Sequence, residues 1–179
     1  PSAESHTFQE ISQMGLEMLG AVDEEAVEQA VCLAAQSLEQ LGRPWVLEVS
    51  HMGYLFGLFD ALSVPETARP GLLAALRAKN IHELRAAAAA AGLEGAGADA
   101  LTALLELSGD YAAVLPKAEA LCRNARMREA AAELRTLAAP LAQAGGTARL
   151  DLTLAGEMEY YNGLVFQGYL RSLPRPLLK

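Results

Sequence analysis

The sequence has 179 residues, of which 52% are hydrophobic, and its formal net charge of −8 accompanies a sequence isoelectric point of about 4.9. This length suffices for one domain with a hydrophobic core, and the negative charge disfavours binding to nucleic-acid phosphates. No stretch approaches the roughly 20 unbroken apolar residues that span a bilayer, and no secretion signal begins the sequence, so we expect a cytoplasmic protein that contacts no membrane.

The first predicted element is a strand over residues 8–20. Apolar and polar residues alternate over part of this range, as in a half-buried strand. The period of two places Gln13 and Glu17 on one face, with Gly15 between them leaving open space. An amide and a carboxylate in this arrangement could hold the ammonium group of an amino acid. The alternative is a strand side that only faces solvent.

A capped helix is expected next. Asp23 precedes two glutamates, which places negative charge at the positive end of the helix dipole. Apolar residues then recur at spacings of three and four from Val27 to Leu41, which predicts one buried stripe. Gly42 and Pro44 end the helix.

A short strand and a second helix follow over residues 45–50 and 52–62. The alternation in the strand puts Trp45 on one side and Glu48 on the other. The strand is therefore expected to bury one face and to present polar groups on the other.

Residues 63–144 are rich in alanine and leucine and poor in β-branched residues, which predicts four or five short helices separated by glycine or proline. Asn80 and Glu83 have the spacing of a capping box at the start of one of them. Residues 127–142 are expected to form the last helix, with Pro140 near its end.

Strand character returns in residues 145–179. Residues 148–154 alternate in polarity, and residues 160–170 are rich in aromatic and β-branched side chains. If Tyr160 and Tyr161 lie on a strand, they point to opposite faces, so one can pack in the core while the other presents its hydroxyl to a pocket. An aromatic hairpin edge is the alternative.

The order of these elements indicates an α+β domain whose sheet is interrupted in sequence by a helical insertion. We assign residues 1–62 to the first part of the domain, residues 63–144 to the insertion and residues 145–179 to the remaining strands.

The sequence shows none of the common catalytic or metal-binding motifs. It has no glycine-rich phosphate loop, no GxSxG elbow and no HExxH pair. Cys32 and Cys122 occur singly and are expected to be buried thiols. His6, His51 and His82 are widely separated, so each histidine is expected to be structural or on the surface. We therefore predict no catalytic residue, no metal site and no cofactor.

Two segments resemble the class II histidyl-tRNA synthetase family. The first is Gln13-Met14-Gly15-Leu16-Glu17, which is similar to the strand after that family's motif 2, where the glutamine and glutamate bind the α-amino group of histidine. The second is Glu159-Tyr160-Tyr161-Asn162-Gly163, followed by Val165 and Phe166, which resembles the family's histidine-specific signature. The helical block lies where the family inserts a helical module.

The resemblance implies a class II synthetase-like antiparallel sheet with flanking helices and a helical insertion. It also implies a histidine site formed by Gln13, Glu17, Tyr160 and Tyr161. In that site Gln13 and Glu17 would bind the ammonium group, Tyr161 would lie at the imidazole, and Tyr160 would support the wall.

One departure from the family pattern points to its regulatory branch. Gly156-Glu157 stands where synthetases have an arginine followed by a glycine, and that arginine assists histidine activation in the family. Without this fixed cation, charge developing during adenylation would be poorly stabilised. The resemblance therefore implies a non-catalytic subunit that activates short-form ATP phosphoribosyltransferase and confers feedback inhibition by histidine. Histidyl-tRNA synthetase itself is the alternative.

The resemblance also implies the partners and the extent of the protein. The expected partner is the short-form ATP phosphoribosyltransferase catalytic subunit, the effector is histidine, and the assembly is a homodimer within a hetero-oligomer without nucleic acid. The family's motif 1, early motif 2 and motif 3 have no counterpart in the sequence, so we expect it to be a fragment of a longer chain.

Overall fold

The computed structural model describes residues 14–20, 22–154, 163–173 and 175–179. These residues form eight α-helices and four strands, in the order α1 (Glu24–Glu39), β1 (Trp45–His51), α2 (Met52–Ala61), α3 (Arg69–Arg77), α4 (Ile81–Ala90), α5 (Ala96–Ala103), β2 (Ser108–Asp110), α6 (Tyr111–Ala120), α7 (Ala125–Thr136), α8 (Ala138–Gln143), β3 (Thr147–Asp151) and β4 (Leu164–Leu170). Short 3₁₀ turns lie at Glu66–Ala68 and Leu104–Glu106. Within the described ranges, no helix has the length and apolarity needed to cross a membrane.

The four strands form one sheet in the order β2-β3-β1-β4. The β2–β3 and β1–β4 pairs are antiparallel, whereas β1 and β3 are parallel. The α+β class is therefore confirmed, but this sheet is mixed rather than antiparallel throughout. The parallel pair is possible because the long helical stretch between β1 and β3 brings the chain back to the same end of the sheet.

One face of the sheet is apolar and is covered by helices. Trp45, Leu47 and Val49 alternate along β1 and are all buried. The helix α1 packs on β4 and β1, and α7 packs on α2 and β1. These contacts join the sheet and the helices in a single hydrophobic core.

The helix α1 forms as the sequence predicts. The Asp23 carboxylate accepts a hydrogen bond from the backbone N–H of Ala26 at 2.9 Å, which caps the first turn. A stripe at helical spacing is buried against the sheet and comprises Val31, Ala34, Ala35 and Leu38. Gly42 follows the helix with a positive φ of +61°, a conformation that glycine adopts without strain.

Two predicted elements differ from the structure near the start and middle of the chain. Residues 14–20 form no strand, and their side chains are exposed, because none of the four described strands pairs with them. Residues 63–144 contain six α-helices rather than four or five, and they also contribute the strand β2 to the sheet.

The last predicted helix and the last predicted strands also differ in detail. Residues 127–142 are divided between two helices, α7 and α8, which meet at Leu137. The strand expected over residues 148–154 ends at Asp151. The division into residues 1–62, 63–144 and 145–179 stays a prediction.

Replacing Gly146 by alanine is expected to destabilise the protein. A Cβ at this position would overlap the Trp45 indole, which is buried and held in place because its Nε1 donates to Glu39 Oε2 at 2.6 Å. Overpacking of this kind typically lowers the free energy of unfolding by about 1–3 kcal/mol.

Chemical denaturation of the Gly146→Ala variant measures this change. Gly71→Ala is the matched control, because a Cβ there meets nothing within 4 Å and alanine favours a helix. Equal midpoints for the two variants would contradict the proposed close packing.

Candidate functional site

The second face of the sheet carries polar side chains on three neighbouring strands. Glu48 on β1 lies directly opposite Arg149 on β3 and Gln167 on β4. Residues directly opposite each other in a sheet share a face, and so do residues two apart on a strand. Asp151 and Tyr169 therefore belong to the same face.

The centre of this polar face is the Asp151 carboxylate, whose side chain is only 4% exposed. Its Oδ2 accepts hydrogen bonds from Lys79 Nζ at 2.5 Å and from Ser108 Oγ at 2.9 Å. Its Oδ1 accepts from the Thr153 backbone N–H at 3.0 Å and from Thr153 Oγ1 at 2.6 Å. A buried charge is tolerated because it is both paired and hydrogen-bonded.

Lys79 reaches Asp151 from the end of α3. The residue follows the C-cap of this helix and has a φ of +50°, which turns the chain toward the sheet. Its Nζ also donates to Ser108 Oγ at 3.2 Å. The network thus joins α3, β2 and β3.

The carboxyl groups of the polar face have pKa values shifted in opposite directions. Burial raises the pKa of Asp151, but the hydrogen bonds from Lys79 and Thr153 outweigh it, so the pKa lies below its ordinary value. The pKa of Glu48 is raised by burial and by the negative charge of Asp151, against the opposing effect of Arg149 and Lys79. Asp151 is therefore held ionised, whereas ionised Glu48 is incompletely stabilised.

These residues surround an open cleft of about 340 Å³. The residues that line it are Glu48, Arg77, Lys79, Asp151, Thr153, Leu154, Gln167 and Tyr169. The Tyr169 hydroxyl donates to Gln167 Oε1 at 2.6 Å, and burial together with the charges of Glu48 and Asp151 raises the pKa of Tyr169. The cleft therefore contains hydrogen-bond donors and acceptors, and both positively and negatively charged side chains, in a small space.

His51 connects the end of β1 to the helices. Its Nδ1 accepts a hydrogen bond from the Gly53 backbone N–H at 3.0 Å and so caps α2. The other ring nitrogen, Nε2, must then carry the proton that is donated to Glu133 Oε2 on α7 at 2.9 Å. This role is structural, as the sequence predicts for an isolated histidine.

The comparisons with known proteins identify the family. A family model described as histidyl-tRNA synthetase matches residues 2–179. The chain belongs to the histidyl-tRNA synthetase family. This membership agrees with the resemblance of the Gln13 and Tyr160 segments to that family.

Curated relatives within this family are described as ATP phosphoribosyltransferase regulatory subunits. The relative from Thermus thermophilus is 33% identical over 176 residues, which cover 98% of this chain and 48% of the relative. The relative from Anaeromyxobacter dehalogenans (strain 2CP-1) is 36% identical over 167 residues, which cover 89% of this chain and 46% of the relative. The chain spans less than half the length of these curated relatives.

Solved structures share the fold. A crystal structure described as an ATP phosphoribosyltransferase regulatory subunit/histidyl-tRNA synthetase from Bacillus halodurans is 28% identical with a TM-score of 0.76, covering 88% of this chain and 42% of that chain. A HisG:HisZ ATP phosphoribosyl transferase complex from Thermotoga maritima matches at 18% identity and a TM-score of 0.67, covering 86% of this chain and 54% of that chain. At this identity the second likeness concerns the fold alone.

Most of the predicted histidine-site residues lie outside the described residues of this family member. They are Gln13, Tyr160 and Tyr161, and the same is true of the Gly156-Glu157 departure. Glu17 is described, and it is exposed and lies outside any helix or strand. The histidine site formed by these four residues stays a prediction.

The sequence did not identify the cleft, although two of the residues that line it occupy polar positions in predicted strands. The alternation in β1 places Glu48 on the polar side, and Asp151 has a polar position in the alternation of residues 148–154. Lys79 has no such signal because it follows a helix end and meets a carboxylate 72 residues away. Only the folded chain brings these groups together.

Replacing Asp151 by asparagine is expected to lower the free energy of unfolding by about 2 kcal/mol at neutral pH, since hydrogen bonds to a charged group contribute about 1.5–3 kcal/mol. The folded-state pKa of Asp151 lies below its unfolded value. Its stabilisation is therefore present at neutral pH and is lost as the pH falls below about 4.

Urea denaturation of wild type and Asp151→Asn between pH 3 and 7 tests this prediction. The stability difference should shrink toward acid pH. The Glu129→Gln variant, which alters an exposed carboxylate on α7, should match wild type throughout. A difference that stays constant with pH would show that the Asp151 charge does not contribute.

Proposed function

We propose that this chain is part of a non-catalytic regulatory subunit that activates short-form ATP phosphoribosyltransferase and confers feedback inhibition by histidine. The observation that carries the proposal is the shared description of its curated relatives. Relatives that are 31% to 36% identical are described as ATP phosphoribosyltransferase regulatory subunits. Because that role belongs to histidine biosynthesis, we infer a cytoplasmic location.

The proposed absence of catalysis rests on Gly156-Glu157. The family's synthetases have an arginine in the first of these positions, where its guanidinium would stabilise charge developing on phosphoryl transfer. Replacing it by glycine removes a fixed donor from the reacting group, an effect of several kcal/mol in comparable sites. A chain with this change keeps the means to bind an amino acid and loses the means to activate it.

The proposed partner is the catalytic subunit of short-form ATP phosphoribosyltransferase. The Thermotoga maritima structure with the same fold is described as a complex of HisG and HisZ. We infer a homodimer of the regulatory chain within a similar hetero-oligomer, with neither a membrane nor a nucleic acid as partner.

Histidine is the proposed effector, bound by Gln13 and Glu17 at its ammonium group and by Tyr161 at its imidazole, with Tyr160 as supporting wall. Feedback requires that histidine bind the active and the inhibited assemblies with different affinity. A pocket that binds histidine without activating it is compatible with this requirement, because the ligand leaves unchanged and the binding equilibrium can reverse.

The complete protein is expected to raise the rate of a short-form ATP phosphoribosyltransferase at least tenfold and to make that rate sensitive to histidine. It is also expected to catalyse no pyrophosphate exchange with histidine and ATP. Both reactions are measured on one preparation, with a long-form, self-regulated phosphoribosyltransferase as the control for nonspecific activation. Robust pyrophosphate exchange would overturn the regulatory proposal and establish a synthetase.

Glu17→Gln is expected to weaken histidine binding by about tenfold or more, because loss of a charge-assisted contact amounts to about 1.5–3 kcal/mol. Calorimetric titration of the complete protein measures the affinity, and Glu129→Gln serves as the control. Unchanged affinity in a folded Glu17→Gln protein would show that Glu17 does not hold the ammonium group.

A further inference from the structure

A groove lies between α1 and α8, at the end of the sheet where β1 and β3 begin. The two helices contact each other, and Trp45 and Leu141 are buried residues of the groove lining. The volume of the groove is about 750 Å³, which is within the range of pockets that bind small molecules. The groove shares no residue with the polar cleft or with the predicted histidine site.

One wall of the groove is a single face of α1. The residues of α1 with polar or ionisable side chains on this wall are Glu28, Cys32, Gln36 and Glu39. Their spacings of four, four and three residues place them on the same side of the helix. Glu28 and Glu39 are 11 positions apart, and a rise of about 1.5 Å per residue places them roughly 16 Å apart along the helix axis. One carboxylate therefore lies toward each end of this wall.

Among the described residues, no cation pairs with either carboxylate. Glu28 has neither a hydrogen bond nor an ion pair within the part of the chain that the structure describes. Glu39 accepts one hydrogen bond, from Trp45 Nε1 to Glu39 Oε2 at 2.6 Å. Burial, followed by the charge of Glu28, raises the pKa of the Cys32 thiol, so this thiol stays neutral at physiological pH. The wall thus carries two negative charges that a ligand could neutralise.

The rest of the lining is apolar or neutral. Pro140 and Leu141 on α8 provide aliphatic surface, and Gln36 and Gln143 provide side-chain amides. Of the residues that the structure describes, no lysine, arginine or histidine lines the groove. The two glutamates would repel a phosphate or a carboxylate, and their separation prevents them from sharing one metal ion. The lining therefore selects a ligand that is positively charged at both ends and aliphatic between them.

We propose that this groove binds a linear polyamine, with its two terminal ammonium groups at Glu28 and Glu39. The methylene chain lies along Pro140 and Leu141. Spermine has the matching length, because its terminal nitrogens lie roughly 16 Å apart when all of its C–C and C–N bonds are extended. A charge-assisted hydrogen bond at each end would fix the position of the ligand along the groove. The proposal goes beyond the regulatory function and does not depend on it.

The first test is a calorimetric titration of the complete protein with spermine. A dissociation constant below about 1 mM is expected at low salt, with weaker binding at high salt because the contacts are ionic. The NMR signal of the Trp45 indole N–H, assigned by its absence from Trp45→Phe, is expected to shift during the titration. This signal reports on the Glu39 end of the groove, since the indole donates to that carboxylate.

Two diamines separate the length of the ligand from its charge. The α,ω-diamines of twelve and four carbons both carry two ammonium groups, but only the longer one has as many bonds between its nitrogens as spermine. Only the longer diamine can therefore reach both glutamates. It is expected to bind at least fivefold more tightly than the shorter one.

Substitutions then test the two ends separately. Glu28→Gln and Glu39→Gln are each expected to weaken spermine binding at least fivefold and to remove most of the advantage of the longer diamine, because one end is no longer held. Glu39→Gln keeps an amide oxygen that can accept from Trp45. Glu28→Gln breaks no contact with a described residue, so it provides the test should Glu39→Gln fail to fold. Glu24→Gln removes the same charge from α1 outside the groove lining and should match the parent protein.

Four results would overturn the proposal. They are the absence of a shift at Trp45 with millimolar spermine, equal binding of the two diamines, equal weakening by Glu24→Gln and Glu28→Gln, and tighter binding of a hexalysine peptide than of spermine. The last result would assign the groove to a basic protein segment. Activation of the phosphoribosyltransferase is measured separately, so failure of the regulatory function leaves these results intact.

Discussion

The buried Asp151 carboxylate fixes the position of three parts of the chain. Lys79 comes from the end of α3, Ser108 from β2, and Thr153 from the turn after β3, and all three donate to the same carboxylate. A single buried charge of this kind destabilises the folded state unless its lone pairs accept hydrogen bonds, so the loss of any one donor would weaken the whole network. The short strand β2 and the turn at Thr153 are therefore held by hydrogen bonds to the same carboxylate.

The two faces of the sheet differ strongly because apolar and polar residues alternate along its strands. The apolar face is covered by α1, α2 and α7. The polar face has charged residues on adjacent strands, and no donor among the described residues engages Glu48 as Lys79, Ser108 and Thr153 engage Asp151. Asp151 is paired and hydrogen-bonded, whereas Glu48 is only partly compensated by Arg149. This difference between two carboxylates on one face makes the cleft chemically distinct from the surrounding surface.

The sequence predicted those elements whose signal is local. Asp23 and the apolar stripe of α1, and the alternation around Trp45 in β1, follow from spacing within one element. The strand β2 has only three residues, too few to show a period, and it lies within an alanine-rich and leucine-rich stretch. The parallel pairing of β1 with β3 and the contact of Lys79 with Asp151 depend on distant parts of the chain, which a local pattern does not encode.

The residues of the candidate site divide in the same way, between local sequence signals and contacts over long distances in the chain. Glu48 and Asp151 occupy polar positions in predicted strands, yet nothing in the sequence distinguishes them from ordinary solvent-facing residues. The Gln13 and Tyr160 segments were recognised through resemblance to a family, and that resemblance alone carries the predicted histidine site. Family likeness and physical geometry thus point to two different groups of residues.

Two side-chain contacts between the helical stretch and the sheet are of different kinds. At one, Lys79 pairs with Asp151, and at the other, Glu133 on α7 accepts from His51, which also caps α2. A charged hydrogen bond contributes about 1.5–3 kcal/mol and a helix cap about 1 kcal/mol, with less expected where Lys79 is half exposed. Coupling between allosteric sites typically amounts to about 1–3 kcal/mol. Breaking either contact would therefore involve a free energy of the size that regulation requires.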